Sequence, residues 1–360
     1  MTRAFILGGT GVAGRAVARR LLEAGWRVDV VGRNAGHLPP ELAEAGCRFR
    51  AVDRNDTAGL RAAFGKEADL LVDCVCFTGT DASGLLPLAA DAGVTVMISS
   101  KAVYADGAGH HVNSEVAPRF DGPIKETQPT VAPGDGDYRT REGYGANKVA
   151  AEQVLLDSGY PVTVIRPSKI HGAWARRPRE WVFVKRALDR RPVLILGRRG
   201  EDVDHTTAAT NLAALIETVA AVGGRQILNS ADPDSPSVLE ISRAIAYFLE
   251  HEWVEALLDG FDPIVGRHPW EAPHPIILDM SAAIDLGYRP VGGYAQTVAD
   301  EIKWLVAAAD GGPGADLLPA PDDPFFGPMF DYDAEDRYLA MSSGEDPPQG
   351  RPPGLSSPLS

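Results

Sequence analysis

Cysteine is scarce in this chain: Cys47, Cys74 and Cys76 are the only three in 360 residues, and they form neither a C-x-x-C pair nor a set with metal-ligand spacing. A disulfide scaffold and a thiol-based zinc site are thereby excluded, and the thiols read as reduced and partly buried, with no metal expected. No apolar run approaches bilayer-spanning length, and the amino terminus enters an apolar strand at once, leaving no room for a secretory leader. The expectation is a cytoplasmic protein with no membrane partner. Positive charge is also in deficit, with 35 Lys and Arg against 49 Asp and Glu and a formal net charge of -14. Nucleic-acid binding draws mainly on neutralising phosphates with a basic surface, so a nucleic-acid partner is not expected. No internal repeat appears. What remains, 44% hydrophobic and 23% charged residues, suits a folded chain of two domains, or of one large domain with a tail.

The strongest local pattern runs from Ala4 to Asn34 and reads as strand, glycine turn, helix, second strand. Gly8, Gly11 and Gly14 have G-x-x-G-x-x-G spacing between a short apolar run and an amphipathic helix carrying Val12, Ala16, Val17 and Leu21. Such glycines let the backbone turn tightly, approach a pyrophosphate and seat the helix on the sheet, while the helix start offers free N–H groups to the phosphate. A purely structural turn is the alternative. After the second strand come Gly32 and Arg33, where many dinucleotide folds place an acid for the ribose hydroxyls. An arginine there can pair with a 2′-phosphate, which favours NADP(H) over NAD(H). Asp53, just past a strand at 48–52, is placed to accept from the adenine amine, unless this segment is simply a helix cap made by Asn55 or Asp56.

Apolar strands at 70–77 and 94–99 alternate with a polar turn at 78–80 and a helix at 85–92. The alternation implies an α/β fold, a Rossmann-type doubly wound parallel sheet. Residues 105–142 turn polar and irregular before Tyr144-Gly-Ala-Asn-Lys148 opens a helix that precedes a strand ending in Arg166-Pro167. Later segments read as helices at 180–188, 210–221, 238–250 and 295–309, with strands at 193–196 and 226–229. We assign residues 1–170, completed by about 203–230, to dinucleotide binding. Residues 171–202 and 231–305 form a smaller, interleaved substrate-binding portion. Residues 310–360 form a Pro/Gly-rich tail holding ten of the 28 prolines, and most of it is expected to be disordered. Phe325, Phe326, Phe330, Tyr332 and Tyr338 run against that expectation and point to a span that docks on the body or on a neighbouring subunit.

Reducing a ketone or oxidising a secondary alcohol with a nicotinamide requires a proton donor or acceptor at the oxygen while hydride moves at carbon. Tyr144 suits that proton. A free phenol titrates near 10 and needs a nearby cation, which Lys148, four residues on and on the same helix face, supplies. Ser100, at a strand end on the cofactor side, can hydrogen-bond the same oxygen. Candidates for holding substrate phosphates are Arg176, Arg177, Arg179, Arg198, Arg199 and Arg267. No spacing ties His171 or His205 to the Ser-Tyr-Lys set, and both read as structural histidines.

The ordered set Gly8-Gly9-Thr10-Gly11-Val12-Ala13-Gly14, Ser99-Ser100-Lys101-Ala102-Val103-Tyr104, Tyr144 to Lys148, Arg166 to Gly172 and Leu286 to Pro290 resembles the extended short-chain dehydrogenase/reductase family. That group includes nucleotide-sugar epimerases and dehydratases. The resemblance implies Ser100, Tyr144 and Lys148 as catalytic residues and Gly8, Thr10, Gly11, Val12 and Gly14 as the cofactor turn. It also implies that Lys148 holds the nicotinamide ribose, that Arg267 meets substrate phosphate, and that the chain forms a homodimer. A closer likeness, in Gly8 to Thr10, Asp53 to Asp56 and Val72-Asp73, is to the branch with chloroplast stem-loop RNA-binding proteins. Where sugar-nucleotide dehydratases carry Asp-Glu after the serine, this chain has Lys101 and Ala102, which disfavours dehydration. The resulting expectation is an NAD(P)-dependent oxidoreductase acting on a polar, sugar-like small molecule. A nucleotide-sugar epimerase with tightly held NAD and a non-catalytic cofactor-sensing or RNA-binding protein are the alternatives.

Overall fold

Every residue of the first strand, β1 (Arg3–Leu7), is buried, with Ala4 and Ile6 entering one apolar layer and Phe5 and Leu7 another. A strand covered on both faces belongs to the middle of a parallel sheet. The computed structural model, which describes residues 2–343, places it there. After β1 come β2 (Arg27–Gly32), β3 (Arg48–Ala51), β4 (Ala68–Asp73), β5 (Ala92–Ile98) and β6 (Val162–Pro167). Three short strands, β7 (Lys169–His171), β8 (Val193–Leu196) and β9 (Thr206–Ala208), precede β10 (Gln226–Ser230) and β11 (Val254–Leu257). The main sheet has seven parallel strands in the order β10-β6-β5-β4-β1-β2-β3. The chain reverses direction across the sheet between β1 and β4, where Leu7 lies beside Asp73 in register. Doubly wound sheets bind ligands at that switch point, beyond the strands' carboxyl ends.

Helices α1 (Val12–Glu23), α2 (Pro40–Glu44) and α7 (Ala209–Val222) cover the face that receives Ala4 and Ile6. Helices α3 (Thr57–Phe64), α4 (Gly79–Ala89) and α5 (Arg141–Leu156) cover the opposite face. A second core gathers side chains of α6 (Trp181–Leu188), α8 (Val238–Phe248), α10 (Tyr294–Thr297) and α11 (Ala299–Ala309), together with Trp270. Two small parallel sheets, β7 with β9 and β8 with β11, accompany it, and α9 (Ser281–Asp285) packs back on the main body through Ala283.

Several boundaries differ from the sequence reading. β4 ends at Asp73 and not at Phe77, because Asp73 turns its carboxylate to the Val75 N–H while Arg54 and Lys148 take the next carbonyls. Thr78–Thr80 is no free turn: Thr78 caps α4 in a reciprocal box with Asp81, and the helix ends at Ala89 so that Ala92 can open β5. The helix expected at 295–309 divides at Val298 into α10 and α11.

The carboxyl-terminal region, expected to be mostly disordered, is ordered through residue 343. Phe326 and Met329 enter the second core, and α12 (Tyr332–Ser343) follows. Arg186 Nη2 binds the Met329 carbonyl at 2.6 Å and Glu335 at 2.5 Å, and Arg191 binds Asp336 at 2.5 Å. These charge-assisted bonds, with the two buried apolar side chains, offset the entropy of ordering a proline-rich segment. The remainder of the tail lies outside the described residues. No helix among the described residues is long and apolar enough to cross a membrane.

Candidate active site

The turn after β1 is built to let backbone come close. Gly8 has φ +74°, and a Cβ there would sit 2.7 Å from Val75 Cγ1. A Cβ on Gly14 would sit 2.5 Å from the Gly8 carbonyl oxygen, so only glycine lets α1 press on the turn. Gly11 differs: it is exposed, and its nearest contact would be an ordinary 3.5 Å. Its openness leaves room for a ligand. No side chain caps α1, so its first N–H groups point outward uncapped beside half-buried Thr10 and Val12. Such a cradle fits a dinucleotide pyrophosphate.

Arg15 braces this turn from behind. Its Nε donates to the Thr10 carbonyl at 2.7 Å, and its guanidinium lies 4.0 Å from the centre of the Trp174 ring, which stacks on Trp304. Burial pushes the Arg15 pKa down to about 10, still well charged at neutral pH. Arg33 lies exposed just past β2 and makes no hydrogen bond or ion pair among the described residues. Asp53 is exposed too, but one of its oxygens accepts the Asn55 N–H at 2.9 Å, and the cap of α3 is Asp56.

Across the switch point, Arg54 fills the gap beyond β4. It pairs with Asp73 at 3.0 Å and Asp81 at 3.2 Å and donates to the Val75 carbonyl at 2.6 Å. Burial raises the pKa of Asp73, against the opposing pull of Arg54. Neighbouring Cys74 is pushed up to about 12 by burial, and Cys76 is raised as well, so both remain thiols. Sequence reading missed the Arg54 bridge, although Asp73 at the end of an apolar strand was a visible signal.

Ser100 follows the end of β5, and Tyr144 and Lys148 lie one turn apart on α5. Lys148 is 2% exposed, and its Nζ donates to the carbonyls of Cys76 at 2.7 Å and Ile98 at 2.9 Å. Two protons are thus committed and a third is free, with the amine 6.0 Å from the Tyr144 ring centre and 4.6 Å from that of Phe77. Phe77 in turn stacks on Tyr138 at 5.1 Å. Tyr144 is half-buried on the first turns of α5, and its hydroxyl has no hydrogen-bond partner among the described residues. Ser100 Oγ accepts the Ala102 N–H at 3.1 Å, which leaves the hydroxyl proton to donate. Ser99, just before it, points instead into the sheet and donates to Glu152, which Arg166 clamps at 2.5 and 3.0 Å. A phenol and a hydroxyl without acceptors among the described residues, and an ammonium fixed on two carbonyls, are the donors this part of the chain offers.

The arginines named as phosphate candidates scatter. Arg176 and Arg177 are exposed, and Arg199 is at the surface with Asp259 at 3.1 Å. Arg198 pairs with Asp202 at 3.3 Å, and half-buried Arg267 pairs with Glu271 at 3.0 Å. Arg179 turns inward, donating to the Ile170 carbonyl at 3.3 Å within electrostatic reach of Tyr144. His205 is held by the carbonyls of Asp232 and Asp234 and by the Leu278 N–H, a structural role.

Ligand atoms of buried His171, Glu180 and Glu301 lie within 4.8 Å of one another, a grouping invisible in the sequence. On His171, burial opposes the charge, but the Asp232 carboxylate at 3.0 Å outweighs it and raises the pKa. The raised pKa lets this imidazole share a proton with the carboxylates around it.

The fold is similar to that of UDP-glucose-4-epimerase from Stenotrophomonas maltophila, solved with bound NAD and formylated UDP-arabinopyranose. The TM-score is 0.68 at 18% identity, covering 87% of this chain and 100% of that one. It is also similar to dTDP-glucose 4,6-dehydratase from Bacillus anthracis str. Ames in complex with NAD, with TM-score 0.65, 14% identity and coverage of 88% and 100%. UDP-glucuronic acid 4-epimerase from Bacillus cereus, in complex with UDP-glucuronic acid and NAD, gives TM-score 0.62, 14% identity and coverage of 85% and 99%. Among curated proteins no match is found. At such identities these structures establish the fold alone. The family-level match is independent of them and covers most of the chain: the profile of the NAD dependent epimerase/dehydratase family fits residues 4–221, from β1 to the end of α7. With the glycine turn at the switch point inside that span, the chain belongs to the NAD dependent epimerase/dehydratase family, a family of enzymes.

Proposed function

We propose that this enzyme moves hydride at a secondary alcohol or ketone of a nucleotide-sugar-like substrate, with Ser100, Tyr144 and Lys148 as its working side chains. The observation that carries this reading is the fixed ammonium of Lys148, held on the Cys76 and Ile98 carbonyls one turn along α5 from Tyr144. A bound nicotinamide cofactor would supply the hydride acceptor or donor. Gly8, Thr10, Gly11, Val12 and Gly14 would seat its pyrophosphate, and the free proton of Lys148 is placed for the ribose. Tyr144 exchanges the substrate's hydroxyl proton, Lys148 favours the phenolate that must form, and Ser100 donates to the same oxygen. Residues 1–170 with 203–230 would hold the cofactor, and 171–202 with 231–305 the substrate. Solved proteins of similar fold were obtained with nucleotide sugars, which supports that substrate class. Replacing Tyr144 with Phe keeps the ring and removes the proton, and turnover should fall by about 100-fold or more. Unchanged turnover of a substrate found by screening nucleotide sugars would remove Tyr144 from the chemistry.

For the cofactor, the exposed and unpaired Arg33 supports NADP(H), whereas the similar structures that contain NAD favour the second reading, an epimerase that retains NAD. Arg33→Ala decides between them. A lost charged contact to a 2′-phosphate should weaken NADP(H) by roughly 10-fold or more and leave NAD(H) within about 2-fold. Equal effects in a fluorescence titration would make Arg33 a surface residue with no part in choosing the cofactor.

A further inference from the structure

Hydride and proton transfer leave one group of charges beside Tyr144 unexplained. Lys101, directly after Ser100, is 6% exposed. Its amine pairs with Asp204, whose other oxygen takes the amine of Lys169 at 3.0 Å. A single carboxylate therefore serves two ammonium groups. Lys169 also donates to the Pro269 carbonyl at 2.9 Å, and the next carbonyl along β7, that of Ile170, receives Arg179. Arg179 has no carboxylate within ion-pair distance among the described residues, although Glu180, Glu301 and Tyr144 all act on it electrostatically. Glu301 offers little countercharge, since burial and the adjacent Glu180 hold it towards its protonated form. Burial pushes the pKa values of Lys101, Lys169 and Arg179 down, and repulsion from the neighbouring cations adds to this at the two lysines. Three basic groups thus face Asp204 and the single charge left to the Glu180–Glu301 pair, and lack a counterion to hold them fully charged. An uncompensated charge inside a protein is costly unless something of opposite sign joins it.

We propose that Lys101, Lys169 and Arg179 form an anion-recognition subsite next to the reacting carbon, selecting a substrate whose sugar ring carries a carboxylate. The inference rests on the nucleotide-sugar reading above and narrows it. Two point-like ammonium groups and a planar guanidinium fork suit a carboxylate, and their position beside Ser100 and Tyr144 places it on the ring that reacts. A neutral ring would leave the surplus charge without a partner, so discrimination comes from what the neutral competitor lacks.

Calorimetric titration of the full-length protein with UDP-glucuronic acid and with UDP-glucose tests this, because the two share a diphosphate and differ in the ring carboxylate. The expected result is tighter binding of UDP-glucuronic acid by about 10-fold or more. Lys169→Met, chosen because Lys169 is partly exposed, should bring the two ligands within about 2-fold of one another by weakening UDP-glucuronic acid alone. Arg179→Gln should do the same and serves if the first variant does not fold. Equal affinities in the unaltered protein overturn the inference while leaving the proposed function standing. Parallel loss of both ligands in the variants also overturns it, since the cluster would then be holding the diphosphate. Should neither nucleotide sugar bind, the proposed function falls. The subsite is then decided by free D-glucuronate against D-glucose in the same titration, where the absence of a glucuronate preference overturns it.

Discussion

Asp232, 1% exposed, is a buried carboxylate on which donors from β7, β9 and α7 converge. It accepts from His171 at 3.0 Å, Thr206 at 2.7 Å, the Ala208 N–H at 2.7 Å and Asn211 at 2.8 Å. Burial alone would raise its pKa, but His171 and these donors bring it down to about 2. The Asp232 contribution to stability is therefore present above its unfolded value near 3.9 and is lost only as pH falls towards about 2. His171 runs the other way: its raised pKa gives stability that is full below its unfolded value near 6.5 and fades as pH climbs through the folded value. Between about pH 4 and 6.5 both contributions hold. Asp232→Asn should cost about 3–5 kcal/mol at pH 6, where it strands a buried imidazolium. The cost should shrink as pH rises through the raised folded value of His171, where the imidazole loses its charge in the native protein. Urea denaturation from pH 6 upwards measures this, and a cost that never changes with pH would show that His171 and Asp232 are not coupled.

At the scale of elements, what was legible in the sequence is what local physics decides. The β1–turn–α1 unit shows in a short apolar run, three glycines and a helical stripe, and each lies where the spacing put it. Ser100, Tyr144 and Lys148 could be named as candidates because each sits in a local pattern, at a strand end or on one helix face. Boundaries set by distant partners were not legible. The apolar run at 70–77 continues past Asp73, but Arg54 and Lys148 take the carbonyls of Val75 and Cys76 and end the strand. A helical stripe spans 295–309, yet the chain divides near Thr297, whose hydroxyl bonds back to the Gly293 carbonyl at 3.0 Å. The Thr78–Asp81 box was readable and was passed over. Arg54 with Asp73 and Asp81, and Lys101 with Asp204 and Lys169, joined the site only when the sheet brought remote segments together. No spacing rule reports such pairs.

The whole molecule joins the layers on the two faces of the main sheet to the second core. Trp174 links them, lying on Arg15 of the glycine turn and stacking on Trp304 of the second core, whose Nε1 donates to the Pro313 carbonyl at 3.2 Å. Beyond Pro313 the chain covers the second core through Phe326 and Met329 and the bonds from Arg186 and Arg191, and Ala334 of α12 packs in a small cluster with Ile195 and Val265. Deleting residues 319–360 therefore separates two kinds of dependence. Two large buried apolar side chains, Phe326 and Met329, at about 1.5–3 kcal/mol each should be lost along with Ala334, and the deletion should lower stability by on the order of 5 kcal/mol. The loss of the Glu335 pairing is cushioned, since Arg186 becomes free to reach water. The brace of Arg15, Trp174, Trp304 and Pro313 survives the cut, so cofactor affinity should stay within about 3-fold, a difference well under 1.4 kcal/mol. Thermal unfolding and a nicotinamide titration on the same preparation read both quantities. An unchanged melting temperature would mean that the aromatic segment does not hold the second core in solution. A lost cofactor affinity would mean that the two cores do not bear their ligands independently, and that the glycine turn needs the sealed second core as well as its own sheet.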